Sequence, residues 1–228
     1  MRAQIVGCVS VSVTHHIIGL GTLIKDALGK FPKRIRSQII NEPIPMPNYR
    51  RLTIAGGTYF FTQVTHQRQS WLCTDLARAT LRSAITQVRQ TYPFTIEALV
   101  LLPNHLHCIW TLPEGDSDYA TRWRLIKTYV TKQAASKLVQ TKIVSASRQK
   151  RREGVLWQRR FWEHLIRDQT DFSHHCDYIH YNPVRHGLCS KPQDWQFSSV
   201  HRFVAQGIYP HNWGMDEVPE VSVGIWDV

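Results

Sequence analysis

Two histidines separated by one residue lie inside an apolar stretch, LLPNHLHCIW, at residues 101–110. Alternate residues of a β-strand project from the same face, so His105 and His107 point one way and the apolar residues between and after them point the other. Side-by-side imidazoles suit a divalent metal, because a neutral ring nitrogen is a common metal ligand. The plainer alternative is a pair of strand histidines that each bond to a neighbouring group, since a buried imidazole without a partner is costly.

A second group of polar residues lies in DYIHYNPVRHG, at residues 177–187. Residues four apart share one face of a helix, which brings Tyr178 and Asn182 together. Tyr181 points about 100° away from Asn182. If one tyrosine acts as a nucleophile beside a ligand from Asn182, Tyr178 is therefore the better candidate. The alternative is a packing tyrosine and an ordinary polar residue at a helix end before Pro183.

A third group combines cationic side chains with aromatic rings. Guanidinium groups bind phosphate oxygens in a forked geometry, and aromatic faces stack on unpaired bases. These properties predict a DNA-contacting surface formed by Arg148, Lys150, Arg151, Arg152, Trp157, Arg159, Arg160 and Trp162. The alternative is a solvated basic loop followed by a strand whose aromatic residues belong to the core.

Composition narrows the possible partners. The 228 residues include 28 Lys and Arg against 17 Asp and Glu, for a net charge of +11 and a pI of about 9.7, which favours nucleic acid or another polyanion. Five cysteines without a CxxC pair, and histidine spacings that match no common zinc pattern, indicate reduced thiols in the cytoplasm and no structural zinc. No apolar run is long enough for a membrane span. GxxxxGK[ST], GxSxG and GxGxxG motifs are absent, which removes support for nucleoside triphosphatases, α/β-hydrolases and dinucleotide-binding proteins.

Periodicity predicts a mixed α+β fold. Strands are expected at about 57–65, 94–102, 105–112 and 155–166, and helices at about 74–90, 118–138, 170–182 and 195–205. The order β-α-β-β-α-β is that of the ferredoxin-like split βαβ fold, an antiparallel sheet with two helices on one face. A further helix, capped by Thr170 or Asp171 and stopped by Pro183, should carry Tyr178.

The first 45 residues differ in composition from the rest and end in a proline-containing stretch around Met46. We expect residues 1–45 to be an N-terminal extension, either a flexible basic arm or the product of an upstream start assignment. Residues 46–205 should form the functional domain, and residues 206–228 a C-terminal tail. A peptide from residues 1–45 in natively expressed protein would exclude Met46 as the natural start.

Together, the paired histidines and the later tyrosine–asparagine spacing resemble the single-tyrosine HUH transposases of bacterial insertion sequences. The resemblance is closer to their REP-associated tyrosine transposase branch, where REP denotes a repetitive extragenic palindrome. It runs from Met46 to about Gly214 and implies a ferredoxin-like fold. Six ordered stretches carry it: MPNYRR (46–51), GGTYFFT (56–62), LLPNHLHCIW (101–110), RRFWEHLIRD (159–168), YIHYNPVRHGL (178–188) and DWQFSSVHRFV (194–204).

The resemblance also implies roles for the site residues. His105 and His107 match the two histidines of the HUH motif, Asn182 matches the third metal ligand, and Tyr178 matches the nucleophile. It implies an enzyme dependent on Mg²⁺ or Mn²⁺ that nicks single-stranded, hairpin-forming DNA. The tyrosine would be joined to the 5′ phosphate, and strand transfer would follow without ATP.

Two other classes of function stay open at this point. A domesticated relative could recognise DNA hairpins without cutting them. A rolling-circle initiator or relaxase could use the same motif, although such proteins are usually larger. In each case the expected partner is DNA and not a membrane, the expected location is the cytoplasm, and the chain could act as a monomer or a homodimer.

Overall fold

The structure, a computed structural model, describes residues 53–138, 155–215 and 219. The predicted extension, residues 1–45, lies outside the described residues. The strands are β1 (Thr58–Val64), β2 (Thr95–Leu101), β3 (His105–Thr111) and β4 (Trp162–Leu165). The helices are α1 (Asp75–Thr91), α2 (Tyr119–Leu138), α3 (Gln169–Arg185) and α4 (Val200–Ala205), with short 3-10 turns at His66–Arg68 and Pro192–Asp194.

The four strands form one antiparallel sheet in the order β2-β3-β1-β4. The chain runs β1-α1-β2-β3-α2-β4 before α3 begins. This combination of chain order and strand order is the ferredoxin-like arrangement, so the predicted fold is confirmed. The two histidine-bearing positions lie on β3, one of the two central strands.

The sheet has a different set of helices on each side. Successive residues of β1 face opposite sides because a strand is pleated. Tyr59 and Phe61 pack with Trp123 and the apolar faces of α1 and α2, whereas Phe60 packs with Ile179 of α3 and with α4. The two helices predicted for one face are therefore α1 and α2, and the tyrosine-bearing helix α3 covers the other face.

Helix α1 shows how local sequence sets these elements. Thr74 caps it by accepting a hydrogen bond from the Ala77 N–H at 3.3 Å. Apolar residues at helical spacing then face the sheet, namely Ala77, Leu81, Ala84 and Val88. Within the described ranges, no helix has the length and apolar character needed to cross a bilayer.

Helix α3 begins earlier than the sequence suggested. Asp168 caps it by accepting a hydrogen bond from the Asp171 N–H at 2.9 Å, so the prediction of Thr170 or Asp171 as the cap was wrong. The Asp171 carboxylate instead accepts hydrogen bonds from His164 and Arg167. An acidic residue in the first turn also complements the positive end of the helix dipole.

Helix α3 also continues past Pro183, contrary to prediction, and ends at Arg185. Its stop signal is Gly187, which adopts a φ of +66°. The Leu188 N–H donates to the Pro183 carbonyl at 2.9 Å and the Gly187 N–H donates to the Val184 carbonyl at 2.9 Å. These bonds form the Schellman motif, in which glycine supplies the left-handed residue that ends a helix.

Strand β4 is much shorter than the predicted strand at 155–166. Trp162 belongs to the ladder with β1, whereas Trp157 forms only an isolated bridge to the residue after β1. Between these two pairings, residues 158–161 lie opposite only two residues of β1. The chain therefore bulges out of the sheet. The bulge exposes two arginines, Arg159 and Arg160.

Candidate active site

The two strand histidines lie side by side on the α3 face of the sheet. Their ring centroids are 4.9 Å apart, and only 6% of His105 and 1% of His107 is exposed. His107 Nδ1 lies 2.8 Å from Thr62 Oγ1 on β1, and His105 Nδ1 lies 2.6 Å from Asn104 Oδ1. A ring whose Nδ1–H donates to such an oxygen presents an unprotonated Nε2, which is the form that binds a metal.

The surroundings keep His107 neutral. Burial lowers the pKa of His107 well below its usual 6.5, and the charges of His105, His186 and Arg185 lower that pKa further. Its Nε2 has no hydrogen-bond partner among the described residues. A buried neutral imidazole with one unused nitrogen is a suitable cation ligand.

Helix α3 brings one of the two candidate tyrosines to the histidine pair. The Tyr178 ring centroid is 5.1 Å from that of His107, and the Arg185 guanidinium lies 5.8 Å from the Tyr178 ring centroid. Tyr181 lies on another side of the helix, where its ring is close to Gly214. The structure thus places Tyr178, and not Tyr181, beside the histidines.

Asn182 lies on the same helical face, one turn after Tyr178 and one turn before His186. The Tyr178 ring is near His107, and the His186 ring is 5.1 Å from that of His105. The amide between them therefore faces the histidine pair. Asn182 is fully buried, and neither amide atom has a hydrogen-bond partner among the described residues. Leaving such a group unpaired costs about 1–3 kcal/mol, and its position beside the histidines makes Asn182 a candidate ligand.

The donor set fits a divalent cation. Within the part of the chain that the structure describes, His107 Nε2 and the Asn182 amide oxygen have no hydrogen-bond partner, and His105 lies next to His107. All three side chains are neutral when they bind, so the charge of the cation would remain available to a phosphate. Two imidazole nitrogens suit Mn²⁺ better than Mg²⁺, which prefers oxygen ligands.

Some residues at this site were not predicted from the sequence. His186 follows Asn182 by four residues, so helical spacing could have revealed it, but Pro183 was expected to end the helix first. Thr62 is brought to His107 only by the β1–β3 register, in which the two residues are paired. No local pattern in the sequence signals that contact.

The structure describes four of the eight residues of the predicted DNA-contacting group. Four of its members, Arg148, Lys150, Arg151 and Arg152, lie outside the described residues. Trp157 is only 5% exposed and packs edge-on against Trp71 at 5.0 Å, so it belongs to the core and offers no face on which a base could stack. Arg159 and Arg160 are exposed in the bulge, and Trp162 is half-buried beside Phe60.

A second histidine-containing cluster joins β4 to α3. His164 Nε2 lies 2.8 Å from Asp171 Oδ2, and His175 Nδ1 lies 3.1 Å from Asp171 Oδ1. Potential ligand atoms of the three residues lie within 4.8 Å of one another. However, the two rings stack 4.6 Å apart at 16°, so their in-plane lone pairs do not converge on one ion. The cluster is therefore a hydrogen-bonded link and not a metal site.

A chain of partly buried hydrogen bonds, the α3–β2 relay, ties α3 to the edge strand β2. The Tyr209 hydroxyl donates to Asp177 Oδ1 at 2.6 Å, and His180 Nδ1 lies 3.1 Å from that hydroxyl. His180 Nε2 lies 2.7 Å from Ser199 Oγ, which accepts from the Leu99 N–H at 2.8 Å. Because the phenol proton goes to Asp177, a neutral His180 ring donates from Nδ1–H to the Tyr209 oxygen. Its Nε2 then faces the Ser199 hydroxyl, for which the Leu99 carbonyl at 3.1 Å is a second acceptor.

Burial supports this proton arrangement, because it lowers the pKa of His180 to about 3 and so keeps the ring neutral. Tyr209 lies in the described part of the predicted C-terminal tail, where its ring stacks on Trp213 at 4.1 Å. Asp177 directly precedes Tyr178. The relay therefore fixes the rotation of the helix that carries the candidate nucleophile.

Known proteins resemble the chain over most of its length, although no protein-family model matches it. The REP-associated tyrosine transposase of Escherichia coli is 46% identical over 179 residues, or 78% of this chain and 97% of the relative. A Haemophilus influenzae protein given the same family name is 47% identical over 169 residues, or 74% of this chain and 94% of the relative.

A solved structure of a REP-associated tyrosine transposase bound to a REP hairpin has the same fold. Its TM-score is 0.65 at 43% identity, and the match covers 80% of this chain and 99% of that one. Identity at this level over nearly whole relatives confirms the resemblance inferred from the six motifs. The chain therefore belongs to the family of REP-associated tyrosine transposases and is a single-tyrosine transposase.

Proposed function

We propose that this protein cleaves and rejoins single-stranded DNA that folds into REP-like hairpins. Tyr178 is the nucleophile, and His105, His107 and Asn182 hold a divalent cation. The observation that carries the proposal is the placement of the Tyr178 ring 5.1 Å from His107, beside two unpartnered ligand groups. The solved relative is bound to a REP hairpin, which supports hairpin DNA as the substrate.

The reaction follows from the chemistry of the tyrosine. The Tyr178 oxygen attacks the phosphorus of a phosphodiester, and the bond from phosphorus to the 3′ oxygen breaks. The phenol proton passes to solvent, and the leaving oxygen takes up a proton to become a 3′-OH. The 5′ phosphate stays on the tyrosine until a 3′-OH from another strand attacks it, so strand transfer needs no ATP.

Several side chains of the protein support these steps. Thr62 and Asn104 orient the two imidazoles through their Nδ1 atoms. The Arg185 guanidinium lies 5.8 Å from the Tyr178 ring centroid, which brings a positive charge to the place where a phosphate must approach. A bound Mn²⁺ or Mg²⁺ would polarise the scissile phosphate and stabilise charge on the leaving oxygen.

The test uses an end-labelled oligonucleotide hairpin with unpaired flanks, incubated with the protein and Mn²⁺. We expect a covalent protein–DNA adduct on a denaturing gel and its complete loss in Tyr178→Phe. Tyr181→Phe is the matched control, because it removes a phenol from the same helix on another face. Loss of the adduct in Tyr181→Phe but not in Tyr178→Phe would overturn the assignment.

The metal dependence is tested in the same assay. Chelation should abolish the adduct, and Mn²⁺ should restore it more effectively than Mg²⁺ because two of the three ligands are nitrogens. His107→Ala should lose the adduct at every Mn²⁺ concentration below the millimolar range. Full adduct formation by the protein in the presence of a chelator would refute the requirement for a divalent cation.

A second function, hairpin recognition without cutting, is favoured by one observation. Tyr178 is only 3% exposed, so a phosphodiester has little access to its side chain in this conformation. Tight hairpin binding with no adduct in Mn²⁺ would support this function. A rolling-circle initiator or relaxase is disfavoured, because the relatives that match over 97% and 94% of their length are tyrosine transposases.

A further inference from the structure

A groove lies outside the candidate active site, between α1, β2 and the segment 196–202. Its volume is about 660 Å³. Its lining residues include no Asp or Glu. Four arginines contribute to it, namely Arg78, Arg82, Arg89 and Arg202. We refer to it as the arginine groove.

Three of the arginines form a stripe along α1. Arg78, Arg82 and Arg89 are four and seven residues apart, which keeps them within about 40° of one another around the helix and spreads them over about 16 Å of its length. Arg82 and Arg89 are exposed. The Arg89 Nε–H donates to the Phe94 carbonyl at 2.9 Å, which holds its guanidinium in place. Arg78 is paired with the Asp75 carboxylate, so Arg82 and Arg89 are the members of the row best placed to bind phosphates.

The floor of the arginine groove is apolar. Ile85 from α1, Ile96 and Leu99 from β2, and Phe197 all line it. The Arg78 guanidinium lies 4.4 Å over the Phe197 ring. Cationic walls above an aromatic and aliphatic floor are the combination that binds unpaired bases together with their backbone.

We propose that the arginine groove binds an unpaired DNA strand that continues from the hairpin. The phosphates lie along the α1 arginines, and the bases lie on the floor around Phe197. This inference rests on the proposed function, which makes hairpin DNA the substrate. A duplex would not satisfy the apolar floor, because its base faces are already stacked and only base edges and backbone are available.

The test measures equilibrium binding of two fluorescent DNAs, the same hairpin with and without unpaired flanks. All proteins carry Tyr178→Phe and are kept free of metal, so no cutting occurs. The double variant Arg82→Ala/Arg89→Ala should bind the flanked hairpin roughly tenfold more weakly and the bare hairpin within twofold of the parent. Its log–log salt slope for flanked DNA should be shallower by about 1.4, since each single-strand phosphate contact contributes about 0.7.

The matched control is Lys132→Ala/Lys137→Ala, which removes the same charge from exposed positions on α2. This control variant should still bind the flanked hairpin more tightly than the bare hairpin, as the parent does. If both double variants weaken binding of flanked DNA equally, the arginines act only by non-specific electrostatic attraction. If the arginine variant binds flanked DNA as the parent does, the arginine groove has another occupant, such as an acidic peptide. Either result overturns the proposal.

A second variant tests the floor separately from the charge. Phe197→Leu keeps an apolar side chain but removes the ring, so it should weaken binding of flanked DNA about fivefold or more with an unchanged salt slope. An unaltered affinity would contradict base contact there. Since these measurements need neither Tyr178 nor a metal, failure of adduct formation leaves them intact, and failure here leaves the cleavage proposal intact.

Discussion

The two sides of the sheet are built from the same strands but differ in what they bury. On the α1–α2 side, β3 contributes Leu106, Cys108 and Trp110 to a core of apolar and aromatic side chains. On the α3 side, the alternate residues of the same strand are His105 and His107, followed by Ile109, which joins the apolar cluster under α3. One strand thus supplies packing on one face and ligand chemistry on the other.

The difference lies in which atoms each face leaves unpaired. Among the described residues, buried indole N–H groups such as that of Trp123 lack a partner on the packed side, whereas the unpaired atoms of Asn182 and His107 on the α3 side are potential metal ligands. Each such atom costs free energy. The well-packed opposite face offsets that cost, because burying large aromatic side chains is strongly favourable. We therefore expect the loss of a packing or hydrogen-bonded side chain on either face to lower stability, and replacement of the unpaired Asn182 amide to raise stability while it removes activity.

The largest effect should come from the packed face. Trp123 is 1% exposed and stacks on Trp110 at 4.1 Å and 17°. Trp123→Ala should lower the free energy of unfolding by about 3–5 kcal/mol, because it leaves a large cavity. Urea denaturation measures this loss. A loss below about 1 kcal/mol would show that the two faces do not differ in the way described.

The next effect concerns the α3–β2 relay. Tyr209→Phe removes the donor to Asp177 and the acceptor for His180, which should lower the free energy of unfolding by about 1–3 kcal/mol. It should also slow adduct formation without changing hairpin affinity, because α3 loses the contact that fixes its rotation. Single-turnover rates and binding constants separate these effects. An equal loss of rate and affinity would argue against a positioning role.

The third prediction concerns the loss of folding stability at acid pH. Burial alone would raise the pKa of Asp171, but the hydrogen bonds from His164 and Arg167 outweigh it and bring that pKa from the usual 3.8 to about 2. The folded-state pKa is lowered, so the stabilisation is present above pH 4 and is lost as the pH falls from about 4 to 2. It amounts to about 1–2 kcal/mol after allowance for solvent around Arg167.

Denaturation curves at several pH values test this prediction. Asp171→Asn should flatten the acid limb of the stability profile, whereas Asp168→Asn, which keeps the helix cap, should leave most of it. If Asp171→Asn reproduces the acid sensitivity of the parent, the link between β4 and α3 does not depend on this carboxylate.

The smallest effect should have the opposite sign. Asn182→Leu replaces an unpaired buried amide with an apolar side chain of similar size, so the metal-free protein should gain up to about 1 kcal/mol of stability. The same change should abolish the adduct. Thermal denaturation in the presence of a chelator provides the comparison. A loss of stability in the metal-free variant would mean that the amide has a structural partner.

The local elements could be predicted because their signals are local. Strand alternation placed His105 and His107 on one face, and helical spacing selected Tyr178 over Tyr181. The ferredoxin-like order followed from the sequence of elements. The long α3 helix was identified, but its ends were not, because its cap at Asp168 and its stop at Gly187 compete with other plausible signals nearby.

The remaining features depend on contacts between distant segments. Trp157 looked like part of a basic, aromatic surface, yet it packs against Trp71 from another part of the chain. The bulge before β4 arises from its register with β1, which no local pattern reveals. The Asp177–Tyr209 bond joins residues 32 positions apart. Such features follow from contacts between residues far apart in the sequence, which short stretches of a single sequence do not reveal.

Tyr178 and Asn182 lie on one helix, separated by a single turn of about 6 Å. No glycine or proline interrupts the backbone between them. The phenol therefore cannot travel with the DNA while the amide stays behind. Any motion that delivers the tethered 5′ end to a new 3′-OH must therefore move both side chains together, as parts of one rigid helix. The hinges for such a motion are the two ends of the helix, at Asp168 and Gly187.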